Sequence, residues 1–125
     1  MEIEKFLSTQ KAFDSQHGWS LKNGSAYEKL EFINKDLIGI MGEIGEFSNL
    51  IKKLNIIAER VNQEELEIAL QGKQDKLEEE LIDCFIYLLR ISTHLEMDIT
   101  KTYLNKLNIN KRRFAKYENI NEERE

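Results

Sequence analysis

Apolar positions recur along this chain at steps of three and four residues, the period of a helix face. Ile3, Phe6, Leu7, Gln10 and Phe13 form a first stripe and predict a short amphipathic helix over residues 2–16. His17-Gly18-Trp19 closes it, with Gly18 suited to the C-terminal cap, and a polar loop follows through Asn23-Gly24-Ser25. From Ala26 to about Asn55, Leu30, Ile33, Leu37, Ile40, Ile44, Phe47, Ile51 and Leu54 predict one long helix. Asn62 to Glu65 has the form of a capping box opening a short helix through Leu66, Ala69 and Leu70, closed by Gly72. Residues 71–74 then predict a turn, with Asp75 capping a second long helix from about Lys76 to Glu96. Its core stripe is Leu77, Leu81, Cys84, Phe85, Leu88 and Leu95; Ile82, Ile86 and Leu89 make a second apolar face, which we assign to a partner subunit. Asp98 caps a last helix through Ile99, Leu104, Leu107 and Phe114, and the polar tail 119–125 is expected to fray. The expected architecture is all-α: two long antiparallel helices with shorter flanking helices, a bundle completed by oligomerisation.

Acids interrupt the apolar pattern in two places. Glu43 and Glu46 are the only charges between Gly39 and Phe47, and Asp83 sits in the apolar run Leu81–Leu89 three residues after Glu80. Glu-x-x-Glu is common on solvated helices, and one such pair alone reads as surface. Here both pairs lie in apolar sequence, share a spacing, and border the core stripes of helices long enough to lie side by side. Four carboxylates converging between two helices repel at neutral pH unless a cation joins them. Oxygen donors alone suit Mg²⁺ or Mn²⁺; His17 and His94 fit no zinc pattern, and the Glu-x-x-His pairs of a helical di-iron site are absent. Mg²⁺ keeps waters and adds phosphate oxygens, so the expected substrate carries phosphate and the attacking group is metal-activated water.

The acids continue into longer stripes. Asp36, Gly39, Glu43, Glu46, Leu50 and Lys53 share one, and Lys76, Glu80, Asp83, Tyr87, Arg90 and His94 the other; Lys53 and Tyr87 are candidate substrate contacts. Gly39, Gly42 and Gly45, inside a helix, point to close approach of a helix or ligand. Lys106, Asn110 and Arg113, spaced four and three, could direct cations and hydrogen bonds to a polyphosphate. Trp19 is a core plug or a base-stacking surface. No phosphate-cradling Gly-x-x-x-x-Gly-Lys loop occurs.

Composition narrows the function classes. The 125 residues suit one domain, and the absence of Pro with 33% charged residues suits long helices. A net charge of −5 argues against a nucleic-acid polymer as partner. Cys84 is the only cysteine, so internal disulfides are excluded, and its apolar setting predicts a packed, inert thiol. No run reaches membrane-spanning length and the start has no apolar leader core, so a cytoplasmic protein is expected.

Gly42-Glu-Ile-Gly-Glu-Phe47, then Glu79-Glu-Leu-Ile-Asp83, then Lys106-x-x-x-Asn110-x-x-Arg113-Phe114 resemble the MazG-like all-α NTP pyrophosphohydrolases, a superfamily that includes dimeric dUTPases and dCTP pyrophosphatases. Trp19 upstream fits the dCTP-pyrophosphatase-like branch, and the resemblance spans about residues 13–117. It implies Mg²⁺-dependent hydrolysis of a nucleoside triphosphate between the α- and β-phosphates, giving monophosphate and pyrophosphate. Glu43, Glu46, Glu80 and Asp83 would hold the metal, with Glu46 or its neighbour Glu43 activating water. Lys106, Asn110 and Arg113 would sit on the phosphates, and the assembly would be a homodimer or homotetramer. Two departures stand out: Gly42 precedes Glu43 where many members carry a second acid, and the 62–71 helix lengthens the connection between the acid motifs. Base specificity therefore does not carry over. A catalytically inactive helical oligomerisation or binding module of the same fold is the alternative.

Overall fold

A computed structural model describes the backbone of residues 2–124 and the side chains of residues 2–118. It contains four helices: α1 (Glu2–Gln16), α2 (Ala26–Ala58), α3 (Gln63–His94) and α4 (Ile99–Arg124). The all-α expectation holds, with no strand among the described residues. The expected frayed tail, 119–125, falls outside the residues whose side chains are described.

The helix ends follow from local chemistry. After α1, Gly18 takes a positive φ of 73°, and Trp19 N–H reaches Asp14 O at 2.8 Å while Gly18 N–H reaches Ser15 O, a Schellman closure. Ser25 caps α2 by accepting from Glu28 N–H at 3.2 Å. Ser25-x-x-Glu28 is a capping signature our sequence reading passed over. Glu28 Oε1 accepts the N–H groups of Lys22, Asn23 and Gly24, which pins the loop carrying Trp19. Partial burial raises its pKa, and those three donors more than offset this, leaving it lowered. Asn62 caps α3 as expected, accepting from Glu65 N–H at 2.9 Å.

One expectation fails between Asn62 and Glu96. The predicted short helix, the turn at 71–74 and the cap at Asp75 are a single uninterrupted 32-residue helix. Gly72 costs about 1 kcal/mol inside a helix, too little to break one whose flanking residues are good helix formers and whose later turns pack along α2. Nothing lies within 4 Å of a Cβ built on Gly72, so no close approach requires it either.

α3 ends in a second Schellman closure, with Met97 N–H on Ser92 O and Glu96 N–H on Thr93 O. Here the left-handed position is Glu96, at φ 54°, a conformation costing an L-residue roughly 1–2 kcal/mol. Glu96→Gly is therefore expected to stabilise the chain by about 1 kcal/mol, read as a shifted urea midpoint at constant slope.

Packing runs along α2 with α3, and α1 lies across α3. The buried apolar core is small: Ile40, Leu54, Leu77, Cys84 and Leu89. Two face assignments need correction. On the face assigned to a partner, Leu89 is buried and Ile86 half-buried beside α1, while Ile82 stays more than half exposed. Leu81, Leu88 and Leu95, placed in the core by the sequence, are more than half exposed. Leu30, Leu37 and Ile44 form a second exposed seven-residue series, on α2. Of the three helical glycines near the acids, only Gly39 is needed by the chain's own packing: a Cβ there would overlap the Tyr87 ring, whereas Gly42 and Gly45 face open space. Gly39→Ala is expected to cost about 2 kcal/mol by overpacking. Gly42→Ala and Gly45→Ala each gain close to 1 kcal/mol of helix propensity in the isolated chain. Thermal melts of the three variants check the contrast.

Candidate metal centre

Antiparallel α2 and α3 bring the two acid motifs to one level. Carboxylate oxygens of Glu43, Glu46 and Glu80 all lie within 4.8 Å of one another. Glu80 is 3% exposed, and its Oε2, like Oε2 of Glu43, is buried without a hydrogen-bond partner. Such atoms are costly to leave unsatisfied. The fourth expected ligand, Asp83, is half-buried and stands outside this group, although its charge acts on Glu43.

Glu43 shows the strain of the cluster most clearly. Its proton is held by hydrogen bonding to the Glu80 carboxylate, and burial and the charges of Glu46, Asp83 and Glu80 add to this, pushing its pKa up to about 7. Glu46, exposed, is raised by the hydrogen bond to Glu80 and by that group's charge. Glu80 takes the opposite share: hydrogen bonds from Glu43, Glu46 and Lys76 lower its pKa. The three carboxyls titrate as one coupled unit. Cys84, buried beside them, has its thiol pKa raised by burial and by Glu43, Asp83 and Glu80, as expected of an inert packed cysteine.

Lys76 is a site residue the sequence reading left unassigned. Its Nζ lies 3.1 Å from Glu80 Oε1 and 3.7 Å from Glu79 Oε2. The hydrogen bond to Glu80 and the charges of Glu79 and Glu80 raise its pKa, so it stands as a fixed cation at the cluster edge. Lys76-x-x-x-Glu80 is the signal that could have found it. A cleft of ≈ 300 Å³ lined by Glu46, Asn49, Leu50, Lys76 and Glu80 opens beside the acids. Lys53 is exposed, two turns beyond Glu46, and does not line it.

Further along the same α3 face stand Tyr87, Arg90 and His94. Arg90 lies 5.8 Å from the Tyr87 ring centre and 5.3 Å from that of Trp19. Trp19 also stacks on His17 at 4.9 Å, so its ring is a half-exposed shelf rather than a core plug. Beneath it is a buried ionic network that our sequence reading did not foresee. Arg90 Nε is 3.1 Å from Asp36 Oδ1, Arg90 Nη1 is 3.7 Å from Asp14 Oδ1, and His94 Nε2 is 3.0 Å from Asp36 Oδ2. Burial raises the Asp36 pKa more than Arg90 and His94 lower it. The signal in the sequence was Asp36, Arg90 and His94 on the two acid-bearing stripes, read there as mere continuations.

Lys106, Asn110 and Arg113 are not brought to the acids. α4 packs lengthwise on neither α2 nor α3, and none of its described side chains is buried. Among the described residues, no helix is long and apolar enough to cross a membrane. No protein-family model, curated protein or solved structure matches the chain.

Proposed function

We propose that the protein is a Mg²⁺-dependent nucleoside triphosphate pyrophosphohydrolase of the MazG-like kind, acting in the cytoplasm on surplus or unwanted (d)NTPs. The observation that carries the reading is the convergence of Glu43, Glu46 and Glu80, whose carboxylate oxygens lie within 4.8 Å of one another between two helices. Hard oxygen donors without His or Cys fit Mg²⁺ or Mn²⁺, with Glu43, Glu46 and Glu80 as the holding residues and Asp83 adding charge close by. A cation there supplies charge neutralisation on the polyphosphate and acidifies the attacking water.

The chain's own groups have distinct tasks in this reading. Glu46, the exposed member, orients a water and takes its proton as the oxygen attacks the α-phosphorus; Glu43 shares that proton. The bond from the α-phosphorus to the bridging oxygen breaks and pyrophosphate leaves. Glu80 and Arg90 are ten residues apart on one helix face, about 15 Å along the axis. A nucleotide extended along this face places its base on the Trp19 shelf while its phosphates reach the acids. Tyr87 lies between, against Gly39. Lys106, Asn110 and Arg113, the phosphate contacts the resemblance implies, lie on α4 away from these acids within one chain and take no step in this scheme.

An inactive helical oligomerisation module would equally explain the exposed leucines of α2 and α3. It gives no reason for three carboxylates to converge within 4.8 Å of one another. The deciding experiment incubates the protein with a panel of NTPs and dNTPs, with Mg²⁺ or with chelator, and measures monophosphate and pyrophosphate. Release of both products in the presence of Mg²⁺ alone is expected, and a folded protein releasing neither from every nucleotide would refute the enzyme reading.

A further inference from the structure

Trp19 is the chain's single tryptophan, and burial does not hold it: the residue is 42% exposed. Its ring meets other side chains only, stacked on His17, beside Phe13 at 5.9 Å, and 5.3 Å from the Arg90 guanidinium. A loop that carries an exposed aromatic opens easily unless its backbone polar groups are tied down. The hydrogen bonds that fasten this loop therefore decide where the ring stands.

At its near end, the Schellman closure of α1 is joined by a hydrogen bond between the Ser15 and Ser20 hydroxyls at 2.9 Å. At its far end, the backbone N–H groups of Lys22, Asn23 and Gly24 converge on one carboxylate oxygen, Glu28 Oε1, at 2.9, 3.1 and 3.0 Å. Successive N–H groups turned inward in this way form an anion-binding hollow, here filled by the chain's own carboxylate. Gly24 makes the turn possible. Its φ is 67°, and a Cβ there would meet nothing within 4 Å, so conformation rather than space requires glycine.

Capping alone does not account for this geometry. In a capping box the glutamate accepts the N–H of the capping residue itself. Here that N–H, of Ser25, goes to Asn23 Oδ1 at 2.8 Å, and Glu28 reaches past it into the loop. Ser25 Oγ accepts the backbone N–H of residue 28, so the helix end stays capped when the Glu28 side chain is changed. The carboxylate fastens the loop to α2, the helix that carries Glu43 and Glu46. Arg90, beside the ring, belongs to the helix that carries Glu80. The ring is thus tied to both acid-bearing helices, to α2 through Glu28.

We propose that Glu28 is a positioning residue for the substrate: by gathering the N–H groups of Lys22, Asn23 and Gly24 it locks the loop onto α2 and holds the Trp19 ring in place to stack a base whose phosphates reach the acids. The use of the ring as a base shelf rests on the hydrolase reading; the lock rests on the hydrogen bonds. A base over a misplaced ring loses its stacking while the acids are untouched, so the loss falls on binding rather than on the chemical step.

Three variants test this, each first shown to keep its helical circular dichroism. Glu28→Ala removes the acceptor and should raise KM by about tenfold, the order of one lost base-on-aromatic stack, with kcat near that of the wild type. Glu28→Gln keeps an oxygen at the same reach and should recover part of that KM. Ser25→Ala removes the helix cap but leaves the Glu28 carboxylate; it should lower the melting temperature and leave KM unmoved. Trp19 fluorescence reads the lock without turnover. In Glu28→Ala, but not in Ser25→Ala, acrylamide should quench the ring more strongly and its anisotropy should fall. Wild-type KM or wild-type quenching in Glu28→Ala would overturn the proposal, as would Ser25→Ala matching Glu28→Ala in both, or Glu28→Gln recovering nothing. A released ring in Glu28→Ala, in a protein whose wild type hydrolyses no nucleotide, would refute the hydrolase reading and leave the lock in place.

Discussion

Glu43→Gln is expected to lower pyrophosphate release by roughly 10²–10³-fold and, in the same protein, to raise thermal stability above neutral pH when no metal is present. The two effects share one cause. In the folded chain the Glu43 proton is held by the Glu80 carboxylate, with burial and neighbouring charges adding to the effect, so its pKa rises from 4.5 to about 7. A folded-state pKa above the unfolded one means the native chain holds a proton that the unfolded chain has released. That contribution to stability is full below about pH 4.5 and is lost as pH rises through about 7. Asp36, whose pKa is also raised, acts in the same direction. An amide at position 43 keeps a donor toward Glu80 at every pH, so the variant avoids the loss. In chelator, the melting temperature of the wild type should therefore fall between about pH 5 and pH 8 relative to Glu43→Gln. Added Mg²⁺ should restore the wild type and leave the variant unmoved, because ligand binding to the native state alone adds stability. Retained activity, or an equal Mg²⁺ response in both proteins, would show that these acids do not hold a metal.

What the sequence disclosed, and what it did not, divides along the range of the interaction. Gly18 and Asn62 were legible because a cap is settled by residues within one turn of it. The break at Gly72 was not, because a helix-breaking residue worth about 1 kcal/mol is outvoted by packing that lies far away in sequence. Faces were harder still. Ile82, Ile86 and Leu89 on one hand, and Leu81, Leu88 and Leu95 on the other, are equally apolar. Only the packing of α1 on α3 buries Leu89 and half-buries Ile86, and it leaves Ile82 as exposed as Leu81. The three converging acids were found because their spacing and apolar setting are both local features. The separation of Asp83 from them depends on helix rotation, which spacing alone does not give. Lys106, Asn110 and Arg113 share a face as their spacing says, yet spacing does not tell that α4 leaves them away from the acids of their own chain.

The buried network offers the largest expected loss of stability. Arg90→Met keeps most of the side-chain bulk but removes the guanidinium that faces both Asp14 and Asp36, 6% and 1% exposed. Removing one partner of a buried ion pair costs about 3–5 kcal/mol, because it strands the other charge. Here two carboxylates lose their guanidinium, although His94 Nε2 stays within 3.0 Å of Asp36 and Gln10 Nε2 donates to Asp14 at 2.9 Å. Asp36→Asn should cost distinctly less. Burial already disfavours the ionised form of Asp36, so an amide of the same shape removes a charge that the interior tolerates poorly. Arg90 would keep Asp14, and the asparagine would still reach His94. Urea unfolding of the two variants separates this account from one in which the network is a simple pair whose members matter equally. The arginine variant should lose the larger part of the stability, and an asparagine variant as damaged as it would overturn the argument. The loss also reaches the substrate face, since Arg90 lies against Trp19 and Tyr87. In an active protein, Arg90→Met should therefore raise KM more than it lowers kcat, as a shelf that holds the base but touches no reacting atom requires.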